Sequence, residues 1–99
     1  MRVRFSPRAQ RQTKLVSTWW RTHRPAAPTL FDDELAEAIA KLAEQPYVGS
    51  AYEGVATENV RRLLLPRTAQ HIYYAVDPVA GVIVIHTIWG ARRKRGPSL

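Results

Sequence analysis

Between Val60 and Trp89 the chain reads as three strands in succession, and the gaps between them are too short to admit a helix. Val60–Leu65 (VRRLLL), Gln70–Asp77 (QHIYYAVD) and Val82–Trp89 (VIVIHTIW) are rich in branched and aromatic residues, which suit extended backbone. Pro66–Ala69 and Asp77–Gly81 supply the turns between them. Parallel neighbours need a crossover of about a dozen residues or more, so these segments can only form an antiparallel meander.

A meander with one apolar face must have that face covered, and the first half of the chain provides the cover. Val3 and Phe5 alternate with Arg2 and Arg4, the pattern of a short first strand. Ser6-Pro7 gives a helix N-cap followed by proline at the first helical position, and a helix is expected from about Pro7 to His23. Ala9, Thr13, Val16 and Trp20 form its stripe, with Leu15 and Trp19 on the flank. Pro25 and Pro28 break this helix. Thr29-Leu30-Phe31-Asp32 resembles a capping box, and a second helix runs to about Gln45, before Pro46. Its stripe is Phe31, Leu35, Ala38 and Leu42, with Ile39 beside it, while Asp32, Asp33, Glu34 and Glu37 read as exposed. Residues 46–59 show no period and read as a loop. The expected fold is α+β in the order β-α-α-β-β-β, with a helical hairpin packed on one face of a mainly antiparallel sheet. The 99 residues suit one domain, and the stretch at about 91–99 (ARRKRGPSL) is expected to be a mobile, basic tail.

Register sharpens the picture. Pairing Leu65 with Gln70 and Val76 with Ile83 gathers Ile72, Tyr74, Val76, Ile83, Ile85, Thr87 and Trp89 on one face, joined by Leu63 and Leu65. The opposite face then carries Arg62, Leu64, His71, Tyr73, Ala75, Val84, His86 and Ile88. Tyr73 would face His86 on one side and Arg62 on the other.

Charge is segregated along the chain. The net charge is +7; residues 1–25 hold seven cations and no acid, and residues 60–99 hold seven cations and only Asp77. Between them, residues 26–59 hold seven acids and only Lys41. Such a pattern favours a polyanion or an acidic peptide as partner, beside plain solubility. Twelve of the fifteen cations are Arg, which suits two-pronged contacts to phosphate or carboxylate. With no cysteine, disulfides, thiolate metal sites and a Cys nucleophile are excluded. Without a signal-like or membrane-spanning apolar run, a cytoplasmic, soluble protein is expected. No phosphate loop, nucleophile elbow or paired-carboxylate pattern is present, and no cofactor is implied.

The polar sheet face admits two readings. His71 or His86 could serve as general acid or base in RNA cleavage, with Arg62 stabilising a phosphorane. Equally, a strand face with His and Tyr can simply bind. The two histidines lack metal-ligand spacing and a third partner, so no metal site is expected. His23 suits the negative end of its helix. The run Arg92-Arg93-Lys94-Arg95 beside Trp89 could bind nucleic acid or an acidic protein, or form a solvated tail. Trp19 and Leu15 could mark a protein interface or pack on the second helix.

FSPRAQ, the WW pair, RPAAPTLFDDELAEAIAKLAEQPYVG, VRRLLLPRTAQHIYYAVD and IVIHTIWGARRKRGPSL follow in the order and spacing of the RelE/ParE toxin superfamily, which the chain resembles over nearly its whole length. The resemblance implies a toxin of a type II toxin–antitoxin system, held in a hetero-oligomer by a cognate antitoxin. The RelE-like branch cleaves mRNA on the ribosome, and the ParE-like branch poisons DNA gyrase. In the ribonuclease branch an arginine usually stands at the place of His71, and a Tyr or His near the C-terminus has no counterpart after Arg92 here. Arg92 itself matches a basic residue of that branch. HIYYAVD and WGARR look closer to ParE-like sequences, so growth inhibition by binding gyrase is the favoured expectation. Contacts to target or antitoxin would then involve Arg62, Tyr73, Trp89, Arg92, Arg93, Lys94, Arg95 and Trp19. As a ribonuclease, the chain would rely on His71, His86, Arg62 and Arg92.

Overall fold

Local signals along the chain produce seven elements, which a computed structural model describes over all 99 residues: β1 (Arg2–Phe5), α1 (Pro7–His23), α2 (Leu30–Glu44), β2 (Ser50–Ala51), β3 (Val60–Leu65), β4 (Gln70–Asp77) and β5 (Val82–Gly90). Ser6 caps α1, its hydroxyl accepting from the Ala9 amide at 3.0 Å while donating to the His86 carbonyl at 2.8 Å. At α2 the expected capping box does not form. Thr29 makes no cap hydrogen bond, and its hydroxyl donates to the Asp33 carboxylate at 3.1 Å instead.

The sheet order is β1-β5-β4-β3-β2. β3, β4 and β5 form the antiparallel meander, and β1 adds a parallel edge on β5. β2 was not foreseen. It extends the far edge by pairing Ser50 with Arg62 and Ala51 with Arg61. A glycine fixes the approach to it. The Gly49 amide donates to the Tyr74 hydroxyl at 2.8 Å, and a Cβ at Gly49 would lie 2.6 Å from that hydroxyl and 2.9 Å from the Arg62 carbonyl. Arg61 completes the anchor, donating to the Gly49 carbonyl at 2.7 Å and the Tyr47 carbonyl at 3.2 Å.

Both helical stripes meet one sheet face as expected. Ala9, Phe31, Leu35, Ala38 and Leu42 pack with Leu65, Ile72, Tyr74, Ile83 and Ile85, and Val16, Trp20 and Ile39 close the margins. Two expectations need correction. Glu34 is buried, because it lies between Phe31 and Ala38 on the inward face of α2. Its carboxylate accepts from the Arg67 amide at 2.7 Å, the Thr68 amide at 3.0 Å and the Thr68 hydroxyl at 2.6 Å, tying α2 to the β3–β4 turn. The second correction concerns β5. Tyr74 pairs with Ile85 but Tyr73 pairs with Thr87, so His86 is an extra, bulged residue. The bulge reverses the alternation beyond it. Ile88 therefore enters the core, and Thr87 and Trp89 take the opposite face beside Tyr73 and His71.

Candidate functional site

The outer sheet face is built on β3, β4 and the second half of β5. Arg62 stands opposite Tyr73, as the register anticipated, and His71 stands opposite Trp89. Tyr73 does not face His86, whose place is taken by Thr87. The structure thus assembles Arg62, His71 and Tyr73 and leaves His86 outside the group. The His71 and Tyr73 rings meet edge to face, 5.9 Å apart.

Tyr52 is the member that sequence reasoning missed. It sits just beyond β2, and its ring packs edge-on against Tyr73 with centroids 4.9 Å apart. The Arg62 guanidinium lies 5.1 Å from the Tyr52 ring centroid. A residue in an aperiodic segment gives no sign of this in the sequence. Only the β2–β3 pairing brings it over the sheet.

The C-terminal tail closes the face from the other side. It has no regular secondary structure, yet Trp89 Nε1 donates to the Arg95 carbonyl at 2.8 Å, and Arg93 lies over the Trp89 ring at 4.0 Å. Pro97 is buried, and a Cβ at Gly96 would collide with the Tyr52 hydroxyl. Arg8, near the start of α1, donates to the Ser98 carbonyl and lies 5.9 Å from the Trp89 ring. The two basic ends of the sequence therefore meet at one end of the sheet. Tyr73, against which the Tyr52 ring packs, is only 2% exposed.

Electrostatics follow from this cover. Burial, aided by the Arg62 charge, holds the His71 imidazole below its ordinary pKa. Burial alone does the same for His86, whose Nε2 is buried without a hydrogen-bond partner. Burial pushes the Tyr73 phenol up, against the pull of Arg62. At neutral pH the face therefore presents arginine cations beside neutral imidazole and phenol. Such a surface recognises anions and aromatic or amide groups. For Tyr73 to serve as an acid or base, Tyr52 would first need to move.

Other candidates lie elsewhere. Arg92, Arg93, Lys94 and Arg95 are all exposed. Arg92 and Arg93 line a groove with Trp19 and Trp20 at the far end of β5, joined by Arg24 and Arg67, which sequence reasoning had not singled out. Trp19 stays 43% exposed rather than packing away on α2. His23 accepts its expected role at the helix end, with Nδ1 3.0 Å from the Trp19 carbonyl. No helix is long and apolar enough to cross a membrane, and no three His, Asp or Glu side chains cluster as metal ligands.

Comparison with known proteins agrees with this architecture. The sequence model of a family described as the ParE toxin of the type II toxin–antitoxin system parDE matches residues 3–95. No curated protein sequence matches the chain. Among solved structures, a chromosomal ParDE toxin–antitoxin system from P. aeruginosa is similar at 18% identity and TM-score 0.69, over 93% of this chain and 97% of that one. The isolated E. coli RelE toxin is similar at 16% identity and TM-score 0.64, over 95% of this chain and 87% of that one. The intact E. coli RelBE toxin–antitoxin complex follows at 16% identity and TM-score 0.61, over 93% and 98%. At such identities the structural likeness speaks for the fold.

Proposed function

Because the chain belongs to the family of ParE toxins of type II toxin–antitoxin systems, we propose that it arrests growth by binding DNA gyrase, and that a cognate antitoxin neutralises it by covering its basic and aromatic surfaces. One observation carries the choice of binding over RNA cleavage. Tyr73, at the centre of the sheet face, is buried with Tyr52 packed against it, and the bulge at His86 keeps the second histidine away from it. A nuclease needs its acid and base within hydrogen-bond reach of one phosphate. A binding inhibitor needs exposed cations, and Arg92, Arg93, Lys94 and Arg95 supply them, with Arg93 held over the Trp89 ring.

The decisive measurement is supercoiling by purified gyrase in the presence of the purified chain. Inhibition, with cleaved DNA trapped on the enzyme, is the expected result. Gyrase that remains fully active at saturating chain would overturn the proposal.

A second reading has one observation in its favour. His71 is neutral at physiological pH and lies close to Arg62, an arrangement that suits a general base beside a phosphate-binding cation. On that reading the toxin is a ribosome-dependent mRNA endoribonuclease, and mapping of transcript ends after induction would reveal codon-spaced cuts that His71→Gln abolishes.

A further inference from the structure

Four arginines from three separate segments line one groove of about 710 Å³ between α1 and the β3–β4 turn. Arg24 is the C-cap of α1, Arg67 lies in the turn, and Arg92 and Arg93 follow β5. All four are exposed, and no acidic side chain is in the lining. Elsewhere on the same helix a carboxylate is met where one is in reach, since Arg21 binds Asp32 at 2.7 Å. Of the groove arginines only Arg67 approaches a carboxylate, that of the exposed Glu37 at 4.0 Å. Aromatic rings support two of the others: Arg24 lies 5.1 Å from the Trp19 ring and 5.9 Å from that of Trp20, and Arg93 lies 4.0 Å from the Trp89 ring. The Ala91 amide donates to the Ala69 carbonyl at 2.8 Å and so joins the start of the tail to the turn. Folding thus gathers like charges around one hollow, and a bound anion would relieve their mutual repulsion.

Guanidinium groups meet phosphate through paired, charge-assisted hydrogen bonds. Four of them around one hollow suit a chain of linked phosphates, which concentrates several negative charges on a few atoms. The rest of the lining suits a nucleoside. Val16 and Trp20 supply an apolar wall, and Gln12 and Gln70 carry amides able to pair with the edge of a base. The volume falls within the range of small-molecule sites, roughly 300–1,000 Å³. A nucleic-acid strand, by contrast, needs aromatic faces free to stack on successive bases. Here the Trp19 ring is already stacked on His23, with centroids 4.7 Å apart and planes at 11°.

We propose that this groove binds a nucleoside triphosphate. The phosphate chain meets Arg24, Arg67, Arg92 and Arg93, and the base rests against Val16 and Trp20. The site is separate from the Arg62–His71–Tyr73 face, and it takes its ligand whether or not the chain inhibits gyrase.

The test uses the full chain, without gyrase, and ATP carrying a fluorescent label on its ribose. Anisotropy should show saturable binding that weakens as salt is raised. Unlabelled ATP should compete, and adenosine should do so about tenfold or more less well. Arg24→Ala and the double variant Arg92→Ala/Arg93→Ala should each weaken binding about tenfold or more. A second double variant, Arg2→Ala/Arg4→Ala, removes the same charge from exposed positions on β1, and it should bind as the parent does. Circular dichroism confirms that each variant is folded. Absence of saturable binding, or equal losses in the two double variants, would overturn the proposal, the latter by showing attraction to net charge alone. Competition by tripolyphosphate as strong as that by ATP would overturn the assignment of a nucleoside. Displacement by single-stranded RNA or a glutamate heptapeptide at lower concentration than by ATP would overturn the proposal in favour of a macromolecular ligand.

Discussion

Single side chains decide where the sheet ends and how α2 is held. Gly49 has no tolerance for a methyl group, because the Tyr74 hydroxyl and the Arg62 carbonyl occupy its place. Gly49→Ala should destabilise the chain by about 1–3 kcal/mol, the usual cost of overpacking a closed site. Combining it with Tyr74→Phe removes the colliding hydroxyl, so the double variant should cost less than the sum of the two changes in chemical denaturation. Glu34→Ala strands the buried Thr68 amide and hydroxyl and the part-buried Arg67 amide, which it now serves. A loss of about 1–3 kcal/mol is expected, whereas Glu37→Ala, on the exposed side of the same helix, should fall within about 0.5 kcal/mol of the parent. Glu34 was open to a sequence reading, since it shares the spacing of Phe31, Leu35 and Ala38. Its charge concealed it, because a carboxylate is assigned to solvent unless its partners are known, and those partners lie in a turn 33 and 34 residues away.

Elements were legible where the determinant is local. Proline and an N-cap serine set the limits of α1, a 3.6-residue stripe set its inward face, and turn residues divided the meander. The parts that escaped depend on contacts between distant segments. β2 exists because Arg61 and Tyr74 hold the Gly49 backbone against β3. The bulge at His86 has no signature in VIVIHTIW, and missing it misplaced Thr87, Ile88 and Trp89 together. The charged composition of the tail predicts mobility and gives no hint of the contacts that Trp89, Arg8 and Tyr52 make with it. Gly96→Ala should drive the tail from Tyr52. Limited proteolysis after Arg92–Arg95 should then proceed faster than in the parent, with the thermal midpoint changed little. Unaltered cleavage would mean that the tail already leaves the sheet in solution.

For the whole molecule, folding brings the two cationic ends of the sequence together and keeps two histidines from charging. Burial lowers both His71 and His86 below the ordinary imidazole value of about 6.5. The unfolded chain therefore binds protons first as pH falls. Stability is complete above about pH 6.5 and declines as pH drops below it towards the folded-state values. Thermal unfolding should thus show a lower midpoint near pH 5 than near pH 7.5, and a chain carrying both His71→Gln and His86→Gln should lose much of that slope. A midpoint that rises on acidification would exclude the histidines as its cause. The extra residue in β5 has a consequence for kinship as well. It gives the strand two reading frames in succession, inward on odd positions up to Ile85 and on even positions from Ile88. Any relative without that insertion has each later residue displaced by one place. Trp89 and the arginines after it therefore owe their address to a single inserted histidine, and counting along an ungapped alignment would set them against the wrong neighbours.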